Sequence, residues 1–124
     1  MGRALIHDNL KAIDQEVLRH VQRSYTEYRS IEYNDNRISK FISQYGKCAI
    51  TGIELGLHDW ECHHKTPLKA GGTDKYGNLI IMLTVFHKAI HNGNQEELNH
   101  LMEKHQLSAD KAKLCMDLYQ LADQ

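Results

Sequence analysis

The sequence predicts an α+β fold, in which two strands joined by a glycine loop lead into a helix and further helices flank them on both sides. Three observations point there. Leu10, Ile13, Val17, Leu18 and Val21 recur at helical spacing near the start, and a similar pattern returns near the end. In the middle the period changes: Trp60 to His64 is a short strand candidate and Leu79-Ile80-Ile81-Met82 a buried apolar strand, separated by Pro67 and Gly71-Gly72. Four histidines, His63, His64, His87 and His91, fall on those central elements.

At 124 residues the chain is expected to form one domain, 1–124. Its parts are a helical N-terminal segment (1–46), a central core (47–92) and C-terminal helices (93–124). The apolar fraction of 41% is ordinary, and no apolar run approaches membrane-spanning length, so no membrane partner is expected. The N-terminus lacks the apolar stretch of a signal peptide. Cys48, Cys62 and Cys115 form no CxxC pair, and their odd number argues against a disulfide framework. A cytoplasmic location is expected on that ground. Fifteen basic residues face 16 acidic ones, for a net charge of −1. That balance counts against tight, autonomous nucleic-acid binding.

Taken in order, roughly the first quarter of the chain reads as one amphipathic helix. A second helix runs from about Asp35 to Tyr45, with Ile38, Phe41, Ile42 and Tyr45 as its apolar stripe and Gly46 at C′. Cys48-Ala49-Ile50 reads as a short strand and Thr51-Gly52 as a turn. After the central strands, Thr84 has the character of an N-cap for a helix from Val85 to about His91, stopped by Asn92-Gly93. Asn94 followed by Glu97 resembles a capping box. Ser108 caps a last helix packed through Leu114, Cys115, Leu118 and Leu121.

Neutral imidazole is the commonest protein metal ligand, and His87 and His91, four apart, face the same way on a helix. An adjacent pair on a strand can converge with them on one ion and leave one histidine for proton transfer. Consecutive strand residues point to opposite faces, however. For His63 and His64 to serve one site, the strand must twist or end there, and Pro67 with the glycine loop makes such an exit plausible.

The ordered set His63, His64, Pro67, Gly71-Gly72, Asn78-Leu79 and His87 resembles the HNH endonuclease family, whose active site is a ββα-metal (His-Me finger) motif. His91 matches members with a third metal-binding histidine. A closer resemblance covers about Glu32 to His91. The stretches Glu32-Tyr33-Asn34-Asp35-Asn36-Arg37-Ile38-Ser39, Gly46-Lys47-Cys48-Ala49-Ile50-Thr51-Gly52, Cys62-His63-His64-Lys65 and the Gly-Gly-Thr-Asp-Lys-Tyr run at 71–76 look like the C-terminal endonuclease domain of group II intron-encoded reverse transcriptase/maturases. No polymerase domain is present.

The resemblance implies that His63, His87 and His91 hold a divalent metal, that His64 is the general base, and that Asn78 braces the loop and so orients His64. It implies DNA as substrate, second-strand cleavage that leaves a 3′-hydroxyl primer, and a reverse transcriptase domain and intron RNA as partners. Three nitrogen donors suit zinc better than magnesium, which prefers oxygen. The expected site works with Mg²⁺ or Mn²⁺ and traps Zn²⁺ when offered. Lys65, Lys69, Lys75, Lys88 and Arg37 are candidate phosphate contacts, against the plain reading of solvated surface cations or, for Arg37, an ion pair with an acid. Many relatives carry two CxxC pairs on a structural zinc. Here only Cys48 remains, with Thr51, Leu83 and Phe86 at the other positions, so apolar packing is expected to replace that zinc. Cys62 reads as a small buried hydrophobe, as do Cys48 and Cys115. His7, His20, His58, His100 and His105 read as surface residues without a role. Two alternatives stay open: a free-standing phage, restriction or toxin-type nuclease, and a non-catalytic zinc module.

Overall fold

The computed structural model describes residues 7–122, so residues 1–6 and 123–124 of the expected domain, with the side chain of His7, lie outside it. Two strands form its centre. β1 (Trp60–His64) pairs antiparallel with β2 (Leu79–Leu83), in a register running from Trp60↔Leu83 to His64↔Leu79. Both strands lie where the sequence placed them. β2 reads as an unbroken apolar run because Leu79, Ile80, Ile81 and Met82 are all buried.

Three helices precede the sheet: α1 (His7–Ala12), α2 (Gln15–Arg23) and α3 (Ile31–Ser43). Three follow it: α4 (Thr84–His91), α5 (Gln95–Lys104) and α6 (Ala109–Ala122). The architecture is therefore α+β. Among the described residues no helix is long and apolar enough to cross a membrane.

The single first helix that the periodicity predicts is two. The Asp14 carboxylate accepts from the backbone N–H groups of Glu16 and Val17, at 2.9 and 3.1 Å, and restarts the chain as α2. Likewise α3 begins before Asp35, because the Ser30 hydroxyl accepts from Tyr33 N–H at 2.9 Å. Its end is a Schellman turn: Tyr45 N–H bonds to Ile42 O and Gly46 N–H to Phe41 O, each at 3.0 Å. The left-handed C′ residue is Tyr45 (φ 59°), with Gly46 (φ 65°) after it. A Cβ on Gly46 would press on Ile13 and Phe41 at 3.2–3.3 Å, which accounts for the glycine.

The expected strand at 48–50 is instead a tight turn. Cys48 N–H bonds to Ile53 O and Gly52 N–H to Cys48 O, leaving a lone bridge between Lys47 and Glu54. Nor does Thr84 cap α4: it is the first helical residue, and its buried hydroxyl has no partner. Asn94 and Ser108 do cap, through Glu97 N–H and Lys111 N–H. In α6, Cys115 and Leu118 are buried while Leu121 is 39% exposed.

The sheet lies between α3 and α4. Tyr33, Arg37 and Phe41, one helical turn apart on α3, line up with β1: the Tyr33 ring stacks on His64, and Arg37 and Phe41 pack on Trp60. On the other side His63 meets His87 and His91 of α4. The Gln44 side chain occupies the free edge of β2, donating to Ile81 O at 2.9 Å and accepting from Ile81 N–H at 3.0 Å. It pairs that edge as another strand would.

Candidate metal centre and the histidine cleft

Strand alternation sends His63 and His64 apart, and the structure keeps them apart. His63 is 1% exposed, and its ring centroid lies 5.2 Å from that of His87 and 5.0 Å from that of His91. One ligand nitrogen from each of His63, His87 and His91 falls within 4.8 Å of the others, the only such cluster of metal-capable side chains among the described residues. His87 is half-buried and His91 exposed, so the cluster opens outward along α4.

The donors fit a metal. His91 Nε2 stands 3.2 Å from His63 Nδ1. Two nitrogens on one tetrahedral ion, at bonds of roughly 2.0–2.1 Å, stand roughly 3.3–3.4 Å apart. His63 Nε2, the other ring nitrogen, is buried without a hydrogen-bond partner. Burial, reinforced by the neighbouring imidazoles, lowers the His63 pKa to about 3, and burial with His91 lowers that of His87 to about 4. Both rings are therefore neutral at pH 7, the form that binds a cation.

His64 ends β1 on the α3 side. Its ring stacks on Tyr33, with centroids 5.6 Å apart and planes 14° apart. Its Nε2 lies 2.8 Å from Asp74 Oδ1. The strand ends here, as the adjacent histidines require, and the chain turns away through Pro67. His63, His64, His87 and His91 thereby line one cleft of about 300 Å³, whose remaining wall is Cys62, Pro67 and Leu68.

Asn78 holds that exit in place. Its Oδ1 accepts from Thr66 N–H at 2.9 Å, and its Nδ2 donates to Thr66 O at 3.0 Å and Thr73 O at 2.8 Å. Its backbone carbonyl accepts from Lys65 N–H at 2.8 Å. The two ends of the loop are thus stitched together within two residues of His64. The glycines serve the same closure. Gly71 is left-handed (φ 96°), and a Cβ on Gly72 would collide with Thr66 O.

The expected cations divide. Lys65 is half-buried beside His64, and Lys69 and Lys75 are exposed on the loop between the strands. Lys88 is exposed on α4, between His87 and His91 in the chain. Arg37 is placed differently from the expectation. Its guanidinium lies over the Trp60 ring at 4.6 Å and donates to Ser24 O at 3.3 Å, so it is engaged in holding the fold. The cation that reaches His64 is Arg29, 3.5 Å from Nε2 and 3.3 Å from Asp74 Oδ1. Sequence reading missed Arg29, Tyr33 and Asp74 as members of the site. Asp74 and Tyr33 stand inside the quoted motif stretches, but nothing in the spacing marks them as neighbours of His64.

Cys62 lines the cleft outside the histidine cluster, and burial pushes its thiol up to about 11, so it stays a protonated thiol. Cys48 is 3% exposed and its Sγ accepts from Leu83 N–H at 3.3 Å, beside the fully buried Phe86. His105 is half-buried with its ring 5.4 Å from that of Phe86, so it helps seal this region and is not a free surface residue. His20 packs edge-on against His58.

Comparison with protein-family models, with characterised proteins and with solved structures gave no match.

Proposed function

We propose that the protein is a metal-dependent HNH endonuclease that hydrolyses DNA through a ββα-metal site, of the type attached to group II intron reverse transcriptases. One observation carries the reading. Three imidazoles from one strand and one helix meet within 4.8 Å, while a fourth, His64, lines the same cleft without joining them. A purely structural zinc site has no need of that fourth histidine, which argues against a non-catalytic module.

In this reading His63, His87 and His91 hold the ion. When bound, a divalent metal supplies charge neutralisation at a phosphate oxygen and at the departing 3′ oxygen. Mg²⁺ or Mn²⁺ serves cleavage, and Zn²⁺ also suits the donor set. His64 takes the proton of the attacking water, an effect worth roughly 10²–10⁴-fold for a positioned base. The water oxygen bonds to phosphorus, the P–O3′ bond breaks, and the 3′ oxygen is protonated by solvent. The products carry 5′-phosphate and 3′-hydroxyl ends, and in an intron setting that hydroxyl primes reverse transcription. Asn78 keeps the strand exit in place so that His64 stays at the cleft. Lys65, Lys69 and Lys75 on the segment between the strands and Lys88 on α4 are the candidate phosphate contacts.

The test is nicking of supercoiled plasmid with Mg²⁺ or Mn²⁺, with and without EDTA, paired with calorimetric Mn²⁺ titration. His64→Ala is expected to lower nicking roughly 10²–10⁴-fold, to a small residual rate, and to leave Mn²⁺ affinity near wild type. Loss of affinity in that variant makes His64 a ligand and overturns the assigned roles. A wild-type protein that binds metal and nicks with neither ion returns the reading to a zinc-binding module.

A further inference from the structure

The environment of His64 is more elaborate than a base alone needs. Asp74 Oδ1 lies 2.8 Å from His64 Nε2, and Asp74 Oδ2 accepts from the Ser30 hydroxyl at 2.7 Å. Arg29 donates to Oδ1 at 3.3 Å while its guanidinium lies 3.8 Å over the Tyr33 ring. Asn36 Nδ2 donates to the Asp74 backbone carbonyl at 3.0 Å. The side chains of His64 and Asp74 are only 14% and 18% exposed. One carboxylate thus carries three side-chain contacts, and the N-terminal end of α3 fixes both its side chain and its backbone.

This arrangement assigns a proton. The hydrogen bond from His64, that from Ser30 and the charge of Arg29 hold the Asp74 carboxyl below its usual range, so it is ionised and accepts only. The hydrogen between Asp74 and His64 then belongs to Nε2. A nitrogen that carries hydrogen cannot accept from Arg29, so the 3.5 Å approach of Arg29 to Nε2 is not a hydrogen bond, and Arg29 acts on Asp74. His64 Nδ1 takes no hydrogen bond from any described residue. Stacking on Tyr33 fixes the plane of the ring, and the Asp74 contact fixes its rotation within that plane.

We propose that Asp74 is the positioning residue for His64, locking the ring in one orientation and in the Nε2–H tautomer, with Nδ1 left as the lone pair that receives the proton of water. Arg29 and Ser30 aim the carboxylate. The inference rests on the nuclease reading for its consequence in catalysis, but not for the geometry it asserts.

The competing account is that Asp74 merely pins the 65–78 loop to α3. Steady-state nicking, a double-mutant cycle and imidazole ¹⁵N NMR separate the two. Asp74→Ala is expected to lower kcat roughly 10–100-fold, a part of the roughly 10²–10⁴-fold that a positioned base supplies, with KM for plasmid and calorimetric Mn²⁺ affinity unchanged. Asp74→Asn keeps a neutral acceptor and is expected to fall between wild type and Asp74→Ala; it also serves if Asp74→Ala fails to fold. In a His64→Ala background either Asp74 substitution should cost nothing further in residual nicking, because the group it acts through is gone. An additive loss there, or a loss of Mn²⁺ affinity equal to the loss of rate, makes Asp74 a loop pin and overturns the proposal. In the wild-type protein, NMR should find His64 as the Nε2–H tautomer. A Nδ1–H tautomer overturns the proposal even if no nicking occurs, and a protein that shows the Nε2–H tautomer but never nicks refutes the nuclease reading alone.

Discussion

Asn78 offers a quantitative test of how the loop carries the site. Its side chain makes three hydrogen bonds, all to backbone groups: one accepted from Thr66 N–H, one donated to Thr66 O and one donated to Thr73 O. At about 1 kcal/mol net per bond, Asn78→Ala removes at most about 3 kcal/mol. Asn78 is only half-buried, so water partly replaces the lost partners, and about 2 kcal/mol is expected in urea denaturation. Asn78→Asp sharpens the test because it preserves shape. A carboxylate still accepts from Thr66 N–H, but it cannot donate to Thr66 O and Thr73 O and faces both with negative charge. Asn78→Asp should therefore destabilise at least as much as Asn78→Ala, and both should slow nicking by releasing the chain that follows His64. If Asn78→Asp is as stable as wild type, the Oδ1/Nδ2 orientation argued here is wrong. If both variants unfold more easily yet nick at the wild-type rate, the loop does not position His64.

Three other outcomes follow from the cluster and the charge. His87→Ala should cost more Mn²⁺ and Zn²⁺ affinity than His91→Ala, because His87 is half-buried and His91 is exposed; equal affinity in wild type and His91→Ala would remove His91 from the ligand set. In the presence of chelator, stability should fall as pH drops from about 6.5 toward 4, because the unfolded chain binds protons at His63 and His87 that the folded chain refuses until about pH 3 and 4. The slope is about 1.4 kcal/mol per pH unit for each such proton, with no gain above pH 7, and a flat urea midpoint between pH 4.5 and 6.5 would contradict it. With a net charge of −1, the isolated chain should bind duplex DNA weakly, with little sequence preference and a shallow salt dependence. Tight, sequence-selective gel shifts from this chain alone would favour a self-sufficient site-specific nuclease over an intron-type domain.

The parts that were legible in the sequence are those whose causes are local. β1, β2 and α4 follow from residue type and period over a few positions, and spacing alone puts His87 and His91 on one face of α4; that His63 and not His64 joins them was implied only by the resemblance. Boundaries set by a single polar side chain were less legible. Asp14 divides one apolar stripe into two helices, and Ser30 starts α3 ahead of its stripe, because a cap competes with periodicity and wins locally. Thr84 misled for the converse reason: a residue suited to capping is drawn into the helix once β2 delivers the chain at Leu83. The strand expected at 48–50 gave way to a turn that puts Cys48 Sγ under Leu83 N–H, a tertiary demand no window of residues displays. Arg29 and Tyr33 were invisible as site residues for the same reason. Each reaches His64 from α3 or the turn before it, and only folding makes them neighbours.

The Cys48 turn has a practical consequence. In a protein whose core is tied by a thiolate-bound ion, a chelator strips the scaffold along with the chemistry, and lost activity can mean lost structure. Here the Cys48 turn is closed by a buried thiol and a backbone N–H within an apolar core that includes Phe86, none of which EDTA can remove. Chelation should therefore act as a reversible switch: circular dichroism stays constant while cleavage stops, and cleavage returns when Mn²⁺ is added back. Metals can then be exchanged one after another in a single folded preparation, and their rates compared without a folding correction.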